Sequence, residues 1–179
     1  MNCFRLEQNL IDNIREAQLK LGYDHRPVSF NYFSRSLCHL LGISSVGEDE
    51  LREFAASAAP HLGCISFRPI RDGWCITVPA EGAAFVHDTP DSSGFLADFI
   101  STVSRHGISM DDAIAVFHRY SGSVTVMELN NDEFDCLVFF SDGSPDNYRY
   151  CLAAEPCLSG GFHISYHRFI PEDYEEFGF

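Results

Sequence analysis

The stretch FDCLVFFSDGSPDNYRYCLAAEPCLSGGFHISYHRF, Phe134–Phe169, constrains the fold more than any other part of the chain. Its first seven residues are apolar except Asp135. A strand with one wet face alternates, so an unbroken run of this length predicts a strand buried on both faces. Ser141-Asp142-Gly143-Ser144-Pro145-Asp146-Asn147 follows, and Gly, Pro and Asx residues supply turn conformations. Tyr148–Leu152 reads as a returning strand, with Tyr148, Tyr150 and Leu152 on one face and Arg149 and Cys151 on the other. A loop over Ala153–Gly161 then leads to a last strand, Phe162–Phe169. There Phe162, Ile164 and Tyr166 share one face, and His163, Ser165 and His167 the other. Upstream, Val124–Leu129 pairs with the apolar run through Asn130-Asn131-Asp132, which predicts a four-stranded antiparallel meander.

Two helices precede the meander. Phe95, Leu96, Phe99, Ile100 and Val103 form the apolar stripe of one, running from Ser92 or Ser93 to Arg105. Ser109-Met110-Asp111-Asp112 resembles a capping box and opens the other, which reaches about Tyr120. Helices followed by strands make an α+β unit, with the helices on one face of the sheet. The acidic tail Pro171–Phe179 predicts one helical turn docked by Tyr174, Phe177 and Phe179.

The N-terminal part reads differently. Leu6, Leu10, Ile14, Ala17 and Leu21 recur at steps of three and four and predict a helix over Phe4–Leu21, with Gly22 as its cap. A short strand over 27–32, a helix over Phe33–Leu41 and a helix over Gly47–Ala59 follow, the last with Pro60 just past its end. Leu62–Arg68 and Trp74–Pro79 form a hairpin around Arg71-Asp72-Gly73. Helix, strand, helix, helix, strand, strand is the element order of a winged helix. Ala80–Pro90 reads as a connector, so the expected division is residues 1–80, winged-helix-like, and residues 81–179, α+β, with a shared core left open.

Charge narrows the partners. The chain of 179 residues carries a net charge of −14, unevenly spread. Residues 1–80 hold eight Lys+Arg and nine Asp+Glu; residues 81–179 hold four and seventeen, giving −1 and −13. An acidic half repels phosphate and disfavours nucleic acid and anionic membranes. The helix in the groove-reading position carries Glu48, Asp49, Glu50 and Glu53 against Arg52 alone. Base-reading helices present Arg, Lys, Asn or Gln instead.

Chemical signatures are sparse. The single lysine, Lys20, lies in no phosphate-binding glycine motif, and no Ser or Cys sits in a nucleophile elbow. The seven cysteines form no C-x-x-C pair and read as reduced thiols in a cytoplasm. No window reaches the ~20 apolar residues of a membrane span, and the start MNCFRLEQNL lacks a signal-peptide pattern. No cofactor and no metal is implied. His163 and His167 have H-x-x-x-H spacing, but on a strand they stand about 13 Å apart, too far to share one ion. The remaining candidate is a polar row of Asp146, Arg149, His163 and His167. Arg149 and His163 would face one ligand pocket with Asp146 orienting one of them, since Arg binds carboxylate and phosphate and His moves protons near neutral pH. Structural ion pairing is the plainer reading of the same row.

The runs FDCLVFFSDGSPDNYRYC, HISYHRFIPEDYEEF, LIDNIREAQLKLGY and RHGISMDDAIAVFHRYS resemble a family of small bacterial proteins carried as a domain of unknown function. The resemblance spans nearly the whole chain and implies a cytoplasmic bacterial protein with no established activity, so it assigns no functional residue.

Three functions remain open. The first is a non-catalytic binding or regulatory module whose partner is a protein, or a second copy of the chain. The second is a small-molecule binder or enzyme using the polar row. The third is weak DNA binding through the winged-helix-like part.

Overall fold

A computed structural model describes residues 1–22, 25–129, 131–156 and 162–177. The chain is α+β and divides into two compact units, Met1–Asp91 and Ser92–Phe179.

In the first unit α1 (Cys3–Leu21), β1 (Val28–Phe33), α2 (Ser34–Leu41), α3 (Glu48–Leu62), β2 (Ser66–Ile70), β3 (Gly73–Val78) and α4 (Ala80–Asp88) follow one another. The strands form one antiparallel sheet in the order β1-β3-β2. Register pairs Ile70 with Gly73, so Arg71 and Asp72 make the hairpin turn. Leu6, Leu10 and Ile14 of α1, Leu37 and Leu41 of α2, and Leu51, Phe54, Ala58 and Leu62 of α3 are buried, as their helical spacing requires. Gly22 and Gly42 cap α1 and α2 in the left-handed conformation.

Two expectations are corrected here. Pro60 lies inside α3, which runs on to Leu62. The expected connector 80–90 is mostly the helix α4, whose Gly82, Ala83 and Val86 are buried. Gly82 reads as a breaker in sequence, but it is there for packing: a Cβ at this position would lie 2.4 Å from the Leu62 carbonyl oxygen and 2.6 Å from Val78 Cγ1. The first unit therefore extends past residue 80. The Gln18 amide also fastens α4 to α1, donating to the Ala83 carbonyl at 2.7 Å.

The second unit holds α5 (Phe95–Val103), α6 (Met110–Tyr120), β4 (Val124–Glu128), β5 (Cys136–Phe140), β6 (Arg149–Pro156), β7 (Phe162–Phe169) and α7 (Pro171–Phe177). The sheet is the expected meander, β4-β5-β6-β7. The capping box of α6 forms: the Ser109 hydroxyl accepts from Asp112 N at 3.2 Å while Asp112 Oδ2 accepts from Ser109 N at 2.8 Å. These bonds hold the Asp112 carboxyl below its ordinary pKa.

The helices cover one sheet face through aromatic rings. Phe95 meets Phe117 and Phe140 at 4.9 Å, and Tyr150 meets Phe117 at 5.1 Å and Phe99 at 5.3 Å. Most of these contacts are edge-to-face, the favoured geometry for paired quadrupoles. On the other face Phe134, Leu137 and Cys151 form a second apolar cluster, with Leu129, Phe139, Phe169 and Tyr174 packed against it. That explains the unbroken apolar run: β5 is covered on both sides. Tyr174 docks α7 there as expected, while the Phe177 side chain and Phe179 lie outside the described residues.

One strand is longer than its sequence suggests. β6 continues through Ala153, Ala154, Glu155 and Pro156, which β7 pairs in turn with Ser165, Ile164, His163 and Phe162. The expected 153–161 loop is therefore half strand, and its remainder lies outside the described residues.

Candidate functional site

The polar row is set by the pairing of β6 with β7. Cα partners in an antiparallel ladder point their side chains to the same face. Arg149 is paired with Phe169, Cys151 with His167, Ala153 with Ser165 and Glu155 with His163. Arg149, His163 and His167 thus share a face, which the register of β6 with β7 decides. Along the strand His167 stands two positions from Phe169, about 7 Å, but His163 is far from both. His163 stands six positions from Phe169, the partner of Arg149, or about 20 Å at the rise of a strand. His163 and His167 are four positions apart, about 13 Å. The register does not bring Arg149 and His163 to one pocket.

Each member of the row has its own surroundings. The Arg149 guanidinium lies 4.0 Å over the Phe139 ring, and its Nη1 is buried with no hydrogen-bond partner among the described residues. Tyr174 of α7 packs on the same cluster. Burial raises its phenol pKa, the Cys151 thiol adds to the rise, and Arg149 opposes it. The His167 ring lies 4.2 Å from Phe169. At the far end of the strands the Ser165 hydroxyl donates to Glu155 at 2.6 Å.

Asp146 belongs to the opposite face. Its Oδ2 accepts from the Tyr150 hydroxyl at 2.5 Å and its Oδ1 from Tyr148 N at 3.1 Å. Arg168, the strand partner of Tyr150, stacks 4.2 Å over the Tyr148 ring. Tyr150 is wholly buried. Burial and the negative charge of Asp146 push its pKa well above 10, against a smaller opposing effect of Arg168. Asp146, Tyr150 and Arg168 thus form a partly buried polar clamp that ties the 141–147 turn to the sheet. Sequence parity places Tyr150 inward but does not show that Arg168 lies beside it; that needs the strand register.

Nucleophiles are equally quiet. Cys136 and Cys151 are buried, and desolvation lifts their thiols to about 11 and about 12, so both are protonated at neutral pH. Among the described residues no group of three or more His, Cys, Asp and Glu side chains could hold a metal ion. No described helix is long and apolar enough to cross a membrane.

The surface of α3 is the other candidate. Arg52 is exposed but contacts two carboxylates of its own helix, Glu48 at 2.5 Å and Asp49 at 3.0 Å. The spacings i,i+4 and i,i+3 put all three on one helix face. The single positive charge of this stretch is neutralised where it stands.

Fold and site together define an acidic two-unit α+β protein whose polar clusters brace the fold. Residues 3–178 match the family model DUF3877, described as a domain of unknown function from an E. rectale gene description, and the chain belongs to that family. No curated protein and no solved structure matches it.

Proposed function

We propose that the chain is a non-catalytic module of a bacterial cytoplasm that works by binding another protein. Its first unit is winged-helix-like: the order α1-β1-α2-α3-β2-β3, with β1 joined to β3, supports that reading. In such a unit α3 occupies the groove-reading position. The observation that carries the proposal is the pairing of Arg52 with Glu48 and Asp49. A helix whose own single arginine is already paired with carboxylates offers little to a phosphate backbone, while its carboxylates suit a basic protein surface. On the hairpin, Arg71 faces Asp72 of the same turn at 4.0 Å. Among the described cysteines, Cys3, Cys38, Cys64, Cys75, Cys136 and Cys151 are free thiols, which supports a reducing compartment.

Two measurements test this. Cross-linking of the tagged full chain in lysate of its source cell should recover one protein in stoichiometric amount, and recovery of none overturns the reading. Titration with duplex DNA at low salt, where phosphate attraction is greatest, should show no saturable binding. Saturable binding would return α3 to a nucleic-acid role.

A further inference from the structure

Among the described residues, strand β4 is an edge of the second sheet, hydrogen-bonded to β5 alone. Ser141 N donates to the Ser123 carbonyl at 2.8 Å, and Leu129 N to the Asp135 carbonyl at 2.9 Å. These contacts make 123 with 141 and 129 with 135 hydrogen-bonded pairs of the ladder. Such pairs recur at every second residue. Thr125 and Met127 therefore point their backbone groups at β5. Val124, Val126 and Glu128 turn theirs to the open side.

Natural edge strands discourage further pairing with Lys, Pro or a bulge. In the first unit, edge strand β2 carries Pro69 and Arg68. β4, VTVME, has no Lys, Arg or Pro, and its pairing with β5 is unbroken over five residues. Val126 is 42% and Met127 51% exposed, so apolar side chains lie bare on both faces beside an open row of donors and acceptors.

Charge identifies what would add to this edge. The unit Ser92–Phe179 carries four arginines and fourteen carboxylates, a net −10. Exposed Glu128, Asp132 and Glu133 flank one end of β4, and exposed Asp142 the other. The arginines are occupied elsewhere: Arg119 pairs with Asp98 at 3.2 Å, Arg149 stacks on Phe139, Arg168 on Tyr148, and Arg105 bonds its own helix at Ser101 O. A second copy would bring the same acidic flanks against this edge and be repelled.

We propose that β4 is the docking edge for an extended basic segment of a partner protein, which adds to the sheet as a fifth strand. Backbone bonds to Val124, Val126 and Glu128 would hold it, apolar side chains would cover Val126 and Met127, and Lys or Arg would meet the flanking carboxylates. This rests on the protein-binding reading and names the partner's chemistry.

The test is a titration of the 15N-labelled full chain with an acetylated decapeptide of alternating Lys and Val, and with its Glu/Val counterpart. The Lys/Val peptide should shift the amides of Val124, Val126 and Glu128 saturably, and the Glu/Val peptide should bind at least tenfold more weakly. V126P removes only an outward-facing N–H, leaves the β4–β5 ladder whole, and should weaken the Lys/Val peptide at least tenfold. M127K, at an exposed position, should do the same by charge and serves should the proline disturb the fold. No shift at these amides, equal response to both peptides, or movement of the same amides on simple concentration of the protein would each overturn the proposal. If the lysate experiment recovers a partner whose cross-links map away from β4, the edge proposal falls and the protein-binding reading stands. If it recovers none, the wider reading falls, whatever the peptides do.

Discussion

The Tyr150 hydroxyl donates a 2.5 Å hydrogen bond to Asp146 Oδ2 from within the aromatic core of the second unit. One bond thereby fixes the end of the 141–147 turn to the middle of the sheet. Tyr150→Phe keeps the ring contacts with Phe99 and Phe117 and leaves the Asp146 carboxylate short of one donor. Losing such a partner at a part-buried carboxylate costs about 1 kcal/mol, and up to about 3 kcal/mol were the site fully buried. Urea unfolding followed at β6 amides should show that loss. The pH dependence follows from the raised phenol pKa. The stability it contributes is complete below pH ~10, the ordinary tyrosine value, and declines above it because the unfolded chain ionises first. Tyr150→Phe should flatten part of that alkaline decline, and an unchanged slope would show that another group causes it.

Cys136 and Cys151 make a second alkaline prediction. Both thiols are raised above 9.0, to about 11 and about 12. With folded values above unfolded ones, stability is full below pH 9 and falls as pH rises toward those values. At pH 8 iodoacetamide should label exposed Cys64 in the folded protein and spare Cys136 and Cys151, read by mass spectrometry of peptides. Stoichiometric early labelling of Cys151 would mean that α7 does not cover it in solution.

Much of the second unit was legible because alternation and turn chemistry agree there. The four strands, their order, the Ser109–Asp112 capping box and the face shared by His163 and His167 all follow from local rules. The distance between Arg149 and His163 does not. Parity groups the side chains of one strand by face, but register determines which faces of neighbouring strands coincide and how far apart their residues stand, and register depends on where a strand yields to its loop. Ala153-Ala154-Glu155-Pro156 has little strand propensity of its own; the ladder to β7 makes it strand. Helix α4 was hidden for the opposite reason. Gly82 looks like a helix breaker, yet its missing side chain is what admits the end of α3. Pro60 misled in a similar way, since α3 continues for two residues beyond it.

Gly82→Ala tests that packing through its sign. In a free helix the change would stabilise by about 1 kcal/mol. Here the new methyl meets the Leu62 carbonyl oxygen at 2.4 Å and Val78 Cγ1 at 2.6 Å, and backbone must yield. Overpacking of this kind costs about 1–3 kcal/mol. The urea midpoint of the first unit should fall, and a rise would show that α4 is not docked as described.

Arg149→Met separates stability from function in the polar row. The guanidinium stacks on Phe139 at 4.0 Å, a contact worth about 0.5–2 kcal/mol. Against it stands Nη1, buried without a hydrogen-bond partner, and such a donor costs about 1–3 kcal/mol. Methionine keeps the length and the contact with the ring and removes the stranded donor. Stability should therefore hold or rise by up to about 1 kcal/mol in urea unfolding. A loss beyond about 2 kcal/mol would mean that Nη1 has a partner in solution, because only breaking a made bond at a charged group costs that much. Unchanged or increased stability would mean that the fold gains nothing from the charge. The guanidinium would then be the first group in the row to examine for binding, and His163, about 20 Å farther along the ladder, would not share that role.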